Sequence, residues 1–295
     1  MLIYARVWLT GILLILSLAP ASGASEVLPV TVTILPQKYL VDRIGGTRVS
    51  VQVLVPPGKS HETYEPTPRQ VADLAQGKIF FRIGLPLENA LLPKLQRASG
   101  AVTVVDMGQG IARRYLEKEN AAFEAAHDHA APTTVGSPDP HFWLSPVLAQ
   151  REAATVLSAL VAQDPAGKAY YEERCQALLA DLQDLHVYLT RVLAPLRGSV
   201  LFVYHPAYGY FADAYGLRQL AVEIEGKEPE PRQLTRFIKL AKQHRVRVIF
   251  VQPQFSRVLA GTIAKEMGIA TAIADPLAED WADNLLRVTG VLCGK

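Results

Sequence analysis

The chain has 295 residues, with 30 Lys and Arg against 28 Asp and Glu, and is 49% hydrophobic and 20% charged. That length exceeds one ordinary core and predicts two domains. The near-neutral balance without a long basic run excludes a nucleic-acid-binding surface, and a mixed composition with 20 Gly and 20 Pro excludes wholesale disorder.

Residues 1–24 read as a signal peptide: one cation at Arg6, an apolar run from Val7 to Leu18, then small residues that permit cleavage after Ala24. The run is shorter than the ~20 residues of a spanning helix, and an uncleaved anchor is the alternative. No Cys stands near the cleavage point for lipid attachment. Export to the periplasm is the expectation, and cleavage leaves 271 residues with a net charge of +1. Cys175 and Cys293 are the two cysteines. Export would permit a disulfide, whereas Cys175 also falls on an apolar helical stripe that suits a buried thiol. Any metal must therefore be held by nitrogen and oxygen.

In chain order, β-branched runs at 30–34, 49–55, 79–83 and 102–106 alternate with helical patterns at 38–44, 68–76 and 87–98. This is the rhythm of a mostly parallel four-stranded sheet. Thr67 followed by Pro68 predicts a capped helix start. The stretch 121–139 lacks any period and predicts a mobile surface loop within an N-terminal lobe, 25–145. A helical linker, 146–197, follows, relaxed near Asp164-Pro165 because proline interrupts a helix. Beyond it Tyr171, Cys175, Leu178, Leu182, Leu185, Leu189, Val192 and Leu196 share one face. They predict a rigid spine of ~48 Å at 1.5 Å per residue. The C-terminal lobe, 198–295, repeats the rhythm with strands at 200–203, 219–224, 248–251 and 271–273 and helices at 207–215, 231–244, 256–267 and 280–292.

Ligands of open α/β sheets bind beyond the carboxyl ends of strands. His61 lies in the loop after the second strand, while His205 and Asp275 each stand two residues past a strand, in the C-terminal lobe. His141 immediately precedes the linker at the lobe junction. A cleft between the lobes could gather all four. Each loop histidine taken singly suits a solvated or structural role as well as a ligand. Together they suit a tetrahedral divalent transition ion. Glu62 is readable as a further ligand, a general base or a solvated charge. His127 and His129 form an HxH pair in the 121–139 loop that suits loose metal binding or solvation, and His186 and His244 fall within helices.

Several segments are specific enough to carry a family resemblance: HETYEPTP at 61–68, IGLPLENALLPKL at 83–95, DPHFWLSP at 139–146, YHPAYGYFADAYGL at 204–217, IFVQPQFS at 249–256 and IADPLA at 273–278. Over the whole mature length the chain resembles the metal-binding proteins of bacterial ABC uptake systems for zinc and manganese. The resemblance implies two α/β lobes joined by one long helix, a single metal in the cleft, and delivery to a membrane permease. It carries ligand roles onto His61, His141, His205 and Asp275. Manganese members commonly have Glu at the position of His205, so zinc is implied over manganese. Two departures stand out. The long His-rich loop of many zinc members is reduced here to His127-Asp128-His129, and Gln252 replaces a frequent glutamate.

A periplasmic zinc receptor without catalysis, and a monomer, is thus the leading expectation. A manganese or iron receptor of the same fold and, from another class, a secreted zinc hydrolase with Glu62 as base are the alternatives. A catalytic zinc keeps one position for water, whereas four convergent protein ligands leave none. The chain has no HExxH, Gly-x-Ser-x-Gly or phosphate-loop sequence.

Overall fold

The computed structural model describes residues 27–97, 102–115, 138–222 and 231–294. The signal-peptide reading and the His127/His129 pair lie outside these residues.

The N-terminal lobe is built on β1 (Leu28–Val32), β2 (Val49–Val53), β3 (Ile79–Arg82) and β4 (Thr103–Asp106), ordered β2-β1-β3-β4 and parallel throughout. Strands β1 and β3 are central and read as almost unbroken apolar runs, as required of strands covered on both faces. Val30, Val32, Ile79 and Phe81 join the main core, while Phe80 packs on the other face with Leu54, Leu74, Leu91 and Leu95. The crossovers are α1 (Leu35–Gly45), α2 (Pro68–Gln76) and α3 (Pro86–Arg97). Helix α2 starts as predicted. Thr67 Oγ1 accepts from Gln70 N at 3.3 Å, and Gln70 Oε1 accepts from Thr67 N at 2.9 Å, which closes a reciprocal cap.

The linker differs from the expected gently relaxed helix. Helix α4 (Pro146–Gln163) stops completely at Asp164, a short 3-10 turn covers Pro165–Gly167, and α5 (Lys168–Leu193) packs back along α4. Asp164 organises the reversal: its carboxylate accepts from Gly167 N at 3.2 Å, Tyr171 Oη at 2.7 Å and Arg48 Nε at 2.8 Å. The α-helical part of the spine is therefore 26 residues, about 39 Å, and ends in a 3-10 turn over Ala194–Leu196. Its predicted stripe is correct in direction, with Tyr171, Cys175, Leu178, Leu182 and Leu189 buried and Leu185, Val192 and Leu196 half-buried. Both cysteines are free thiols, so the disulfide is not formed; Cys175 is buried beside Ala153.

The C-terminal lobe repeats the plan with β5 (Val200–Val203), β6 (Arg218–Ala221), β7 (Val248–Val251) and β8 (Ala270–Ile273), ordered β6-β5-β7-β8 and all parallel. Its helices are α6 (Gly209–Tyr215), α7 (Pro231–Gln243), α8 (Arg257–Met267) and α9 (Trp281–Leu292). Helix α5 packs against α1 of one lobe and α6 and α9 of the other, so one apolar core runs continuously through both. Among the described residues no helix is long and apolar enough to cross a membrane.

Candidate metal centre

Three of the four expected ligands converge. His61, in the loop beyond β2, His141, before α4, and His205, beyond β5, are buried, with exposures of 3%, 0% and 0%. Nε2 of His141 lies 3.2 Å from Nε2 of His61 and 3.2 Å from Nε2 of His205. All three ligand atoms fall within 4.8 Å of one another. A tetrahedral ion bound at the usual zinc–nitrogen distance of ~2.0–2.1 Å separates its ligands by about 3.3–3.4 Å. The two measured edges already match that spacing, so the donors fit a small four-coordinate ion.

Burial comes first, and the neighbouring histidines second, in holding the His61 imidazole well below the ordinary histidine range. It is therefore neutral, the state a ligand needs. His141 is fixed from behind: Asp139 Oδ1 accepts from its backbone N at 2.9 Å and pairs with Nδ1 at 2.7 Å. A carboxylate there keeps the proton on Nδ1 and directs the Nε2 lone pair into the cluster. His205 lies flat on the Phe255 ring, with centroids 4.9 Å apart and planes at 20°. Trp143 closes the apolar side, 5.1 Å from the His141 ring and 5.8 Å from that of His61.

Neither acid lies within 4.8 Å of all three nitrogens. Asp275 occupies its predicted place past β8, half-buried, where Oδ1 accepts from Gln254 Nε2 at 2.9 Å and Leu277 N at 3.0 Å. Glu62 has one carboxylate oxygen 3.7 Å from His205 Nε2 and the other buried without a hydrogen-bond partner among the described residues. Its loop forms one wall of an open pocket whose opposite wall is Leu87, Ala90, Leu91 and Lys94. His186 lies apart, 3.4 Å from Tyr215 Oη, and His244 is exposed just beyond α7.

Asp139, Trp143, Gln252 and Gly209 also shape the site without any role legible for them in the sequence, although all four lie within the motifs quoted above. Asp-Pro-His carried a usable signal for Asp139, because an acid two residues before a histidine can reach its ring. Gly209 was invisible: a Cβ on it would sit 2.7 Å from Arg114 Nε and 3.0 Å from Asp139 Oδ2.

The model of the family described as zinc-uptake complex component A, periplasmic, matches residues 30–287. The high-affinity zinc uptake system protein ZnuA of Bacillus subtilis is 29% identical over 267 residues, covering 87% of this chain and 81% of that protein. The manganese-binding lipoprotein MntA of Halalkalibacterium halodurans is 26% identical over 239 residues, covering 79% and 73%. Among solved structures, a crystal structure of ZnuA is 36% identical, superposes with a TM-score of 0.81, and covers 91% of this chain and 99% of its own. These relatives give no support to the zinc-hydrolase alternative. With the parallel double-lobed fold and the buried histidine triad, the match over most of the chain places it in the zinc-uptake component A family, as a metal-binding, substrate-binding protein of an ABC transporter.

Proposed function

We propose that this protein captures one Zn(II) between its lobes in the periplasm and hands it to the permease of an ABC importer, acting as a monomer and without catalysis. The observation that carries the reading is the set of three buried imidazole nitrogens at near-tetrahedral spacing. Three nitrogens favour zinc, because manganese prefers more oxygen donors and higher coordination. The zinc uptake protein of Bacillus subtilis supports this choice, and the manganese-binding relative defines the competing one. His61, His141, His205 and Asp275 are the proposed ligands, Asp275 completing the set by leaving Gln254. A second reading of the fourth position rests on Glu62, whose carboxylate is already beside His205.

Chelator-competition titrations of wild type and single alanine variants test this assignment. Each histidine replacement should weaken zinc by more than about 100-fold, beyond the range for an outer-shell partner. Asp275→Ala should exceed Glu62→Ala; the reverse order would give the fourth position to Glu62. Unchanged affinity in any histidine variant would overturn the triad as the site.

A further inference from the structure

His141 and His205 meet at Nε2 but are held by different means. Asp139 grips the backbone and the ring of His141, and a different side chain grips the backbone of His205. Strands β5 and β7 remain paired as far as Val203 and Phe250, and Tyr204 N still donates to Phe250 O at 2.8 Å. Past that point the two chains part to form the crevice.

The side chain of Gln252 takes over. Its Oε1 accepts from His205 N at 3.1 Å, and its Nε2 donates to His205 O at 3.0 Å, both bonds fully buried. The peptide groups on both sides of the His205 Cα are thus tied to one amide. Gln252 acts a second time through its own carbonyl, which accepts from Phe255 N at 3.1 Å and so sets the turn that lays the Phe255 ring against the His205 imidazole. We propose that Gln252 is a positioning residue for metal capture, fixing the His205 backbone by a two-point amide clamp and its ring by the Phe255 platform. The proposal rests on the zinc-site reading given above.

The chemistry of the clamp is specific. It needs a donor and an acceptor on one group at glutamine length. A carboxylate accepts from His205 N but has no hydrogen for the carbonyl, leucine offers neither, and asparagine is one methylene short. Outer-shell partners of metal-ligating histidines typically govern about 10–100-fold in affinity.

The test is a coupling experiment. Zinc affinities are measured by chelator competition for Gln252→Glu and Gln252→Leu, each in wild type and in His205→Ala, with circular dichroism to verify folding. In the wild-type background both variants should bind zinc about 10–100-fold more weakly. In His205→Ala the same changes should cost no more than about twofold, because the residue they act through is gone. In the metal-free protein, the imidazole NMR resonances of His205 should move in Gln252→Glu while those of His61 stay. If the leucine variant does not fold, the nearly isosteric glutamate variant decides. Equal losses in both backgrounds, no loss in wild type, or unmoved His205 resonances would overturn the clamp. Unchanged zinc affinity in His205→Ala itself would instead overturn the metal-site reading.

Discussion

Asp139 spends one oxygen on both the backbone and the ring of His141, at 2.9 and 2.7 Å, which holds a flexible side chain in one orientation. Charge and geometry contribute separately, and two substitutions divide them. Asp139→Asn keeps an acceptor of the same shape without the charge, and should weaken zinc by about 10-fold; Asp139→Ala frees the ring and should approach about 100-fold. Chelator competition measures both; equal effects would show that a neutral acceptor contributes nothing beyond the charge, and an unaffected Asp139→Asn would show that the charge is irrelevant. His61 has no comparable hydrogen-bond support among the described residues, and its loop also carries Glu62. The sequence made the histidines legible because strand ends mark ligand sites in parallel sheets. It concealed their supports, because whether Asp139 reaches the His141 ring or Gln252 reaches the His205 peptide depends on how two separate segments lie side by side.

Among the elements, α4 carries the least comfortable residue. Glu152 is fully buried, neither carboxylate oxygen has a hydrogen-bond partner among the described residues, and the charged neighbour acting on it is Arg113. Burial raises its pKa well above the ordinary value, against the weaker pull of Arg113 in the other direction. For an acid with a raised folded-state pKa, stability is fully present below the unfolded value of ~4.3 and is lost as pH climbs towards the folded value. Glu152→Met removes this burden at similar volume. Its gain in thermal midpoint over wild type should therefore be larger at pH 8 than at pH 5, by differential scanning calorimetry of metal-free protein. An equal gain at both pH values would show that Glu152 does not change protonation on unfolding.

The end of the same helix lies beyond what local sequence encodes. Strand and helix positions followed from period and capping, and Thr67-Pro68 located α2 to the residue. Asp164-Pro165 announced only an interruption. The full reversal depends on Arg48, more than 100 residues earlier, whose guanidinium meets the Asp164 carboxylate at 2.8 and 3.0 Å.

At the scale of the whole molecule, the lobes are tied beside the histidine triad as well as along α5. Trp143, two residues past His141, donates its indole N–H to Pro276 O at 2.8 Å, adjoining Asp275. Trp281 answers from α9 with a 2.9 Å bond to Trp143 O, and its ring stacks on Tyr39 of α1 at 5.8 Å. On the opposite side Tyr210 Oη accepts from Arg114 N at 2.9 Å and donates to Asp139 O at 3.1 Å. These links cross between lobes close to the triad, so its spacing belongs to the assembled molecule. The double-lobed plan was legible because each sheet repeats one local rhythm. The interlobe bonds were not, since they join residues as far apart as 143 and 281.

Selective capture of zinc by a three-imidazole centre is open to a direct competition experiment. Metal-free protein is dialysed against equimolar zinc and manganese, freed of unbound metal and analysed for both elements. Wild type should retain one zinc per chain and almost no manganese, and His205→Glu should narrow the preference by exchanging a nitrogen donor for oxygen. Retention of manganese by the wild type, or of neither metal, would mean that the triad is not a zinc-selective centre.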